Sequence, residues 1–126
     1  MNDEMPQRNA TVLVVEDEAL VRGMIAEELR DAGFDVLEAG DGEVASGFLT
    51  TSAAVDVLFT DIRLPGQLDG WAIARLARQL RSNLPVIYAT GYTVDRSAEV
   101  PGAIFLNKPY QPSQIVETID RLLRSA

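Results

Sequence analysis

The chain has 126 residues, a formal net charge of −8, and neither histidine nor cysteine. These absences exclude a disulfide framework, a thiolate nucleophile, an imidazole base and a phosphohistidine, and they restrict any metal site to oxygen ligands, the chemistry of Mg²⁺, Mn²⁺ or Ca²⁺. The acidic balance argues against nucleic acid or an anionic membrane as partner, and ten of the eleven basic side chains are arginine, which leaves Lys108 as the one lysine.

An apolar content of 47% with 24% charged residues is that of one globular domain with one core. The most apolar runs, at 12–15 and 55–59, fall far short of the ~20 residues that span a bilayer. Residues 1–10 are polar and include Asp3 and Glu4, so they read as a disordered tail rather than a signal peptide. The expectation is one folded domain at 11–126, located in the cytoplasm, in a chain complete from its amino-terminal Met to its terminal helical pattern.

Strand and helix patterns alternate. Residues 11–15 are a continuous apolar run, as in a strand buried on both faces. Residues 18–32 follow at helical spacing through Val21, Met24, Ile25, Glu28, Leu29 and Ala32, with Gly33 closing the helix. Residues 35–39 form a weaker second strand. Asp41 caps a short helix whose apolar side is Val44, Ala45, Phe48 and Leu49. Residues 55–60 make a third strand and 61–69 a loop containing Pro65 and Gly66. A helix over 70–81, capped by Asp69, places Ile73, Leu76, Ala77 and Leu80 on one face. Residues 85–89 and 103–106 are the fourth and fifth strands. The last helix begins near Pro112 and buries Ile115, Ile119 and Leu122, with Val116 and Leu123 beside them. Only residues 91–102 join the fourth and fifth strands, which allows a short or irregular helix and predicts the most mobile part of the domain.

Five βα units give a parallel sheet with helices on both faces. Right-handed crossovers with one reversal of winding give strand order 2-1-3-4-5, and ligands bind such sheets at the strand C-termini, where the winding reverses. Glu16 and Asp17 follow the first strand, Asp61 the third, Thr90 and Gly91 the fourth, and Lys108 and Pro109 the fifth. Each has a bland reading by itself: a helix cap, a turn residue, a turn pair, a solvated lysine. Converging on one edge, they have a chemical logic. Carboxylates ~5 Å apart repel by roughly 3 kcal/mol per pair at an effective dielectric of 20. Such a cluster calls for a divalent cation, and Mg²⁺ suits carboxylates, a carbonyl and waters. Cation and lysine together would seat a phosphoryl group, which an aspartate can accept.

The motifs VLVVEDE, LFTDIRLPG, PVIYATGY and LNKPY, in this order, resemble those of the receiver domain of two-component response regulators, and the resemblance runs from Thr11 to Ser125. It implies the flavodoxin-like, doubly wound α/β fold. It implies Asp61 as phosphoacceptor, and Glu16, Asp17, Asp61 and the backbone carbonyl of Arg63 as ligands of a Mg²⁺ cofactor. It also implies Thr90 as the switch hydroxyl, Lys108 as the phosphate-contacting lysine, and Pro109 after it, often in a cis peptide. Three features depart from the commonest pattern. The loop from Pro65 to Gly70 is one residue longer than PxMDG, Gly91 stands where alanine is common, and the fourth crossover is short. All three are similar to an alphaproteobacterial subgroup with an ATGY-like fourth strand. Phe105 matches a rotating aromatic, Tyr92 a position that tunes water access, and Trp71 reads as packing close enough to report on the site.

The resemblance implies a single-domain response regulator, not an enzyme, that takes its phosphoryl group from a histidine kinase or a histidine phosphotransfer protein. It would pass the signal to a downstream protein by contact or by phosphate flow. The first helix, with Arg22 and Ala26 outward, resembles the donor docking surface, and the face from 91 to 110 the output and homodimer surface. Three alternatives stay open: a haloacid dehalogenase-like phosphatase, whose DxD motif follows the first strand where this chain has Glu16-Asp17-Glu18; a flavodoxin-like FMN carrier; and a receiver fragment of a hybrid histidine kinase.

Overall fold

The computed structural model describes residues 9–51, 54–91 and 96–124. Most of the expected tail, Tyr92 and part of the fourth crossover lie outside these residues. The elements are β1 (Thr11–Val15), α1 (Ala19–Asp31), β2 (Asp35–Ala39), α2 (Gly42–Thr50), β3 (Val57–Asp61), α3 (Gly70–Leu80), β4 (Val86–Thr90), β5 (Ile104–Asn107) and α4 (Pro112–Arg124), with one 3₁₀ turn at Arg96–Ala98 in the fourth crossover. All strand pairs are parallel, in the order β2-β1-β3-β4-β5. The expected sheet is therefore present, and the crossover holds a single short turn of helix among its described residues.

Every residue of β1, β3 and β4 is buried, whereas β2 and β5 are partly exposed. That follows from position: central strands are covered on both faces, edge strands less so. Side chains alternate across the sheet. Leu13, Val15, Leu58 and Tyr88 pack with Ile73 and Ala77 beneath α2 and α3. Val12, Val14, Phe59 and Ile87 pack with Ile25, Leu29, Ile115 and Ile119 beneath α1 and α4. On the first face Trp71, Tyr88 and Phe105 form an aromatic cluster, with ring centroids 4.7 Å (Trp71–Tyr88) and 5.0 Å (Tyr88–Phe105) apart. The Arg96 guanidinium lies 3.9 Å above the Phe105 ring, and the Tyr88 hydroxyl accepts the Val100 N–H at 3.1 Å, tying the crossover to β4.

Several sequence-based expectations need correction. β3 runs from Val57 through Asp61, β4 through Thr90 and β5 through Asn107, each shifted toward its C-terminus. The ladder pairs Asp61 with Ala89 and Thr90 with Asn107, so cross-strand bonding carries the site residues into the sheet. Ala26 does not face outward but is fully buried, and Arg22 is half-buried. α1 lies over β2 as well as β1, which rotates its buried face toward these two residues and leaves Met24 and Ala32 exposed. Val44 and Leu80, expected on apolar faces, are also exposed.

Helix ends follow local chemistry. The Asp41 carboxylate accepts the Val44 N–H at 2.8 Å and the Asp69 carboxylate the Ala72 N–H at 2.9 Å. Gly33 adopts φ +98°, and Phe34 N–H returns to the Leu29 carbonyl at 3.0 Å, closing α1.

Candidate functional site

The C-terminal edge of β1, β3, β4 and β5 surrounds a cavity of about 100 Å³. Its lining includes Glu16, Asp17, Asp61, Arg63, Thr90 and Lys108, so the fold brings together all six residues expected from the sequence. The volume suits a cation and a small anion. It is well below the roughly 300–1,000 Å³ of pockets that enclose drug-sized ligands, which disfavours a bound flavin.

Glu16 extends the β1–β2 ladder by donating its N–H to the Ala39 carbonyl at 3.0 Å. Its side chain is buried, and Oε2 accepts the Glu18 N–H at 3.0 Å. The helix-cap reading is thus correct in part: Glu18 occupies the N-cap of α1 without a side-chain cap bond, and Glu16 supplies an acceptor there. Asp17 is exposed at the cavity rim. Asp61 ends β3 and is buried. Its carbonyl accepts the Thr60 hydroxyl at 2.8 Å, and Gly70 packs so close that a Cβ there would lie 2.1 Å from the Asp61 carbonyl oxygen. The Gly70 N–H then reaches the Ile62 carbonyl at 2.8 Å, which anchors the loop after Asp61.

Lys108 closes the far side. Its N–H donates to the Thr90 carbonyl at 2.8 Å, and the Lys108–Pro109 peptide is cis. Its ammonium lies 3.1 Å from Asp61 Oδ1 and 3.8 Å from Glu16 Oε1. Thr90 is buried at the end of β4, beside the same cavity. Space does not force the glycine at 91, where a Cβ would meet the Lys108 side chain at an ordinary 3.8 Å.

Glu16 and Asp61 are an electrostatic problem. Burial, and then the Asp61 carboxylate beside it, push the Glu16 carboxyl up to about 7; the Glu18 N–H and Lys108 oppose this. For Lys108 burial works against the ammonium, but Asp61, Glu16 and Glu18 outweigh it and raise its pKa. Glu16 Oε1 and Asp61 Oδ1 are both buried and accept no aligned hydrogen bond. Glu16, Asp17 and Asp61 each offer one carboxylate oxygen, and these three lie within 4.8 Å of one another. Two buried carboxylates served by one ammonium, in an all-oxygen set with one open, exposed member, fit Mg²⁺.

Sequence reading missed two supporting residues. Arg22 Nη1 donates to the Glu16 carbonyl at 2.8 Å. The Glu43 carboxylate accepts the Gln67 N–H at 3.1 Å and sits against Gly66, pinning the lengthened loop. The inserted residue in that loop was the available signal for Glu43. Arg22 was expected on the outward, donor-docking face of the first helix, and nothing in the sequence pointed it to the Glu16 carbonyl.

The acidic cluster thus sits at the reversal point of a doubly wound sheet, where such folds bind their ligands, with the lysine reaching it from the end of β5. The family model for the response regulator receiver domain matches residues 12–120, and the chain belongs to that family. It is 35% identical to the transcriptional regulatory protein AruR of Pseudomonas aeruginosa over 90% of this chain and 49% of that protein. It is 32% identical to the sensor kinase CckA of Brucella abortus over 91% of this chain and 13% of that protein. The chain thus spans about half, or much less, of the length of these curated relatives. A receiver protein from Sinorhizobium medicae superposes with a TM-score of 0.88 at 36% identity, covering 92% of this chain and 95% of that one. The receiver domain of the hybrid histidine kinase CckA gives 0.73 at 34% identity, covering 90% and 99%. No helix among the described residues is long and apolar enough to cross a membrane.

Proposed function

We propose that Asp61 accepts a phosphoryl group and that residues 11–126 form the receiving domain. The observation that carries this is the Asp61 carboxylate itself: buried at the end of β3, with the Lys108 ammonium 3.1 Å from Oδ1, and lining a small cavity. A carboxylate oxygen of Asp61 attacks the phosphorus of a phosphohistidine, the P–N bond breaks, and the departing imidazole nitrogen takes up a proton. These 126 residues contain no histidine, so the phosphohistidine lies outside them, on a histidine kinase or a histidine phosphotransfer protein. Glu16, Asp17, Asp61 and the Arg63 carbonyl would hold Mg²⁺, which when bound supplies charge neutralisation for the incoming phosphoryl oxygens. Lys108 contributes a second positive charge, and the Thr90 hydroxyl a donor at the end of β4.

The phosphoryl group then favours the loop arrangement that brings Thr90 and Lys108 onto its oxygens, a population shift that a downstream protein or a second copy of the chain reads in the cytoplasm. On α1 the donor surface falls on Leu20 and Met24, both exposed, in place of Arg22 and Ala26. Incubation with acetyl phosphate and Mg²⁺, followed by intact mass, tests the reading. One labile phosphoryl adduct is expected, lost in Asp61→Asn and without metal. An equal adduct in Asp61→Asn would sink the assignment.

A further inference from the structure

We propose that Arg22 is a positioning residue for the acidic cluster, fixing the Glu16 peptide so that its carboxylate points at the cation site. This rests on the reading of Glu16 as a metal ligand. The Glu16 peptide leaves the sheet at the point where β1 ends, yet both its polar groups are held. Its N–H is bonded to Ala39 of β2 at 3.0 Å, and its carbonyl accepts Arg22 Nη1 at 2.8 Å. Arg22 is itself fixed. Its Nε lies 3.3 Å from Glu38 Oε1, and Arg30 holds the other Glu38 oxygen at 3.3 Å. The guanidinium passes over Gly40, where a Cβ would come within 3.2 Å of Nη1. Arg22 therefore bridges the end of β1 to β2 while standing on α1.

This role needs the guanidinium fork. One planar group reaches a carbonyl with Nη1 and a carboxylate with Nε, and a lysine ammonium would not reproduce both directed contacts. Charge alone predicts the opposite effect. A cation near the cluster repels Mg²⁺, so removing Arg22 would tighten binding if its charge were what mattered. If positioning matters, removal weakens binding, because the Glu16 carbonyl is released and the carboxylate loses its aim. Groups that orient metal ligands typically carry roughly tenfold or more in affinity.

The test is Mg²⁺ titration by calorimetry at pH 8 on the whole chain, for wild type, Arg22→Met, Arg22→Lys and Glu38→Gln, with melting temperature in metal-free buffer measured alongside. Wild type is expected to bind most tightly. Arg22→Met should be weaker by roughly tenfold, with Arg22→Lys and Glu38→Gln between them. An unchanged Kd with a lowered melting temperature would show a structural role alone and overturn the proposal, as would tighter binding by Arg22→Met. No Mg²⁺ binding by wild type would overturn the metal-site reading beneath it. Should Arg22→Met fail to fold, the order of wild type, Arg22→Lys and Glu38→Gln still decides the matter.

Discussion

The Lys108 ammonium lies 3.1 Å from Asp61 Oδ1, an ion pair that joins the ends of β3 and β5 across the intervening β4. The Asp61 side chain is 6% exposed and that of Lys108 39%, so the carboxylate is desolvated while the ammonium keeps contact with water. The pair thus sets a desolvated carboxylate against a cation that still meets water.

Lys108→Arg separates charge from shape. The positive charge remains, so stability in metal-free buffer should change by less than about 1 kcal/mol. In the proposed role a compact ammonium reaches a small phosphoryl group, which a larger, planar guanidinium would not reproduce. Phosphorylation-linked chemical-shift changes across β4 and β5 should shrink. A full response in the variant would make the single lysine an accident of composition.

The metal-free protein should lose stability as pH rises. The Glu16 carboxyl stands at about 7 in the fold against 4.5 for the free group, so the folded state holds its proton more tightly. That contribution is fully present below pH 4.5 and is lost as pH climbs through 7. Mg²⁺ competes with the same proton, and its effect should be larger at pH 8 than at pH 5.5. With a Kd of ~1 mM at pH 8, 10 mM Mg²⁺ adds roughly 1.4 kcal/mol. Melting temperature against pH, with and without Mg²⁺, checks both trends, and Glu16→Gln should flatten the metal-free one.

Gly70→Ala should damage the site from beneath. Its Cβ would lie 2.1 Å from the Asp61 carbonyl oxygen and 2.8 Å from Ile62 Cα, both backbone atoms in or next to a central strand. The expected loss is about 3 kcal/mol, together with a weaker acetyl phosphate reaction. Denaturant unfolding and intact mass measure the two effects. A variant as stable as wild type would mean that α3 can shift freely against β3.

Asp69→Ala, one residue earlier, removes only the cap. The Ala72 N–H loses its acceptor at 2.9 Å, which should cost about 1 kcal/mol. Adduct yield should match wild type once the protein is folded. A large loss of phosphorylation would give Asp69 a part in the site as well as in the helix.

The strand runs were legible because β1, β3 and β4 are buried on both faces and read as unbroken apolar stretches. Their ends were not, because Asp61 and Thr90 look like turn residues in a linear string, and only the ladder to Ala89 and Asn107 makes them sheet. The face of α1 was misread for a related reason. Helical periodicity finds a stripe, but contact with β2 rotates the buried side toward Ala26 and leaves Met24 in water.

The order of strands and helices is written in the residue pattern, and with it the edge on which Glu16, Asp17, Asp61, Arg63, Thr90 and Lys108 meet. Residue type and winding rules suffice for that, since parallel strands must all end on the same side. What those residues are to one another depends on packing. It buried Glu16 and Asp61 but left Asp17 exposed, set Lys108 against both buried acids, and brought Arg22 to the Glu16 carbonyl. Burial and distance set the strength of every charge interaction at this edge, and both arise only when distant segments pack.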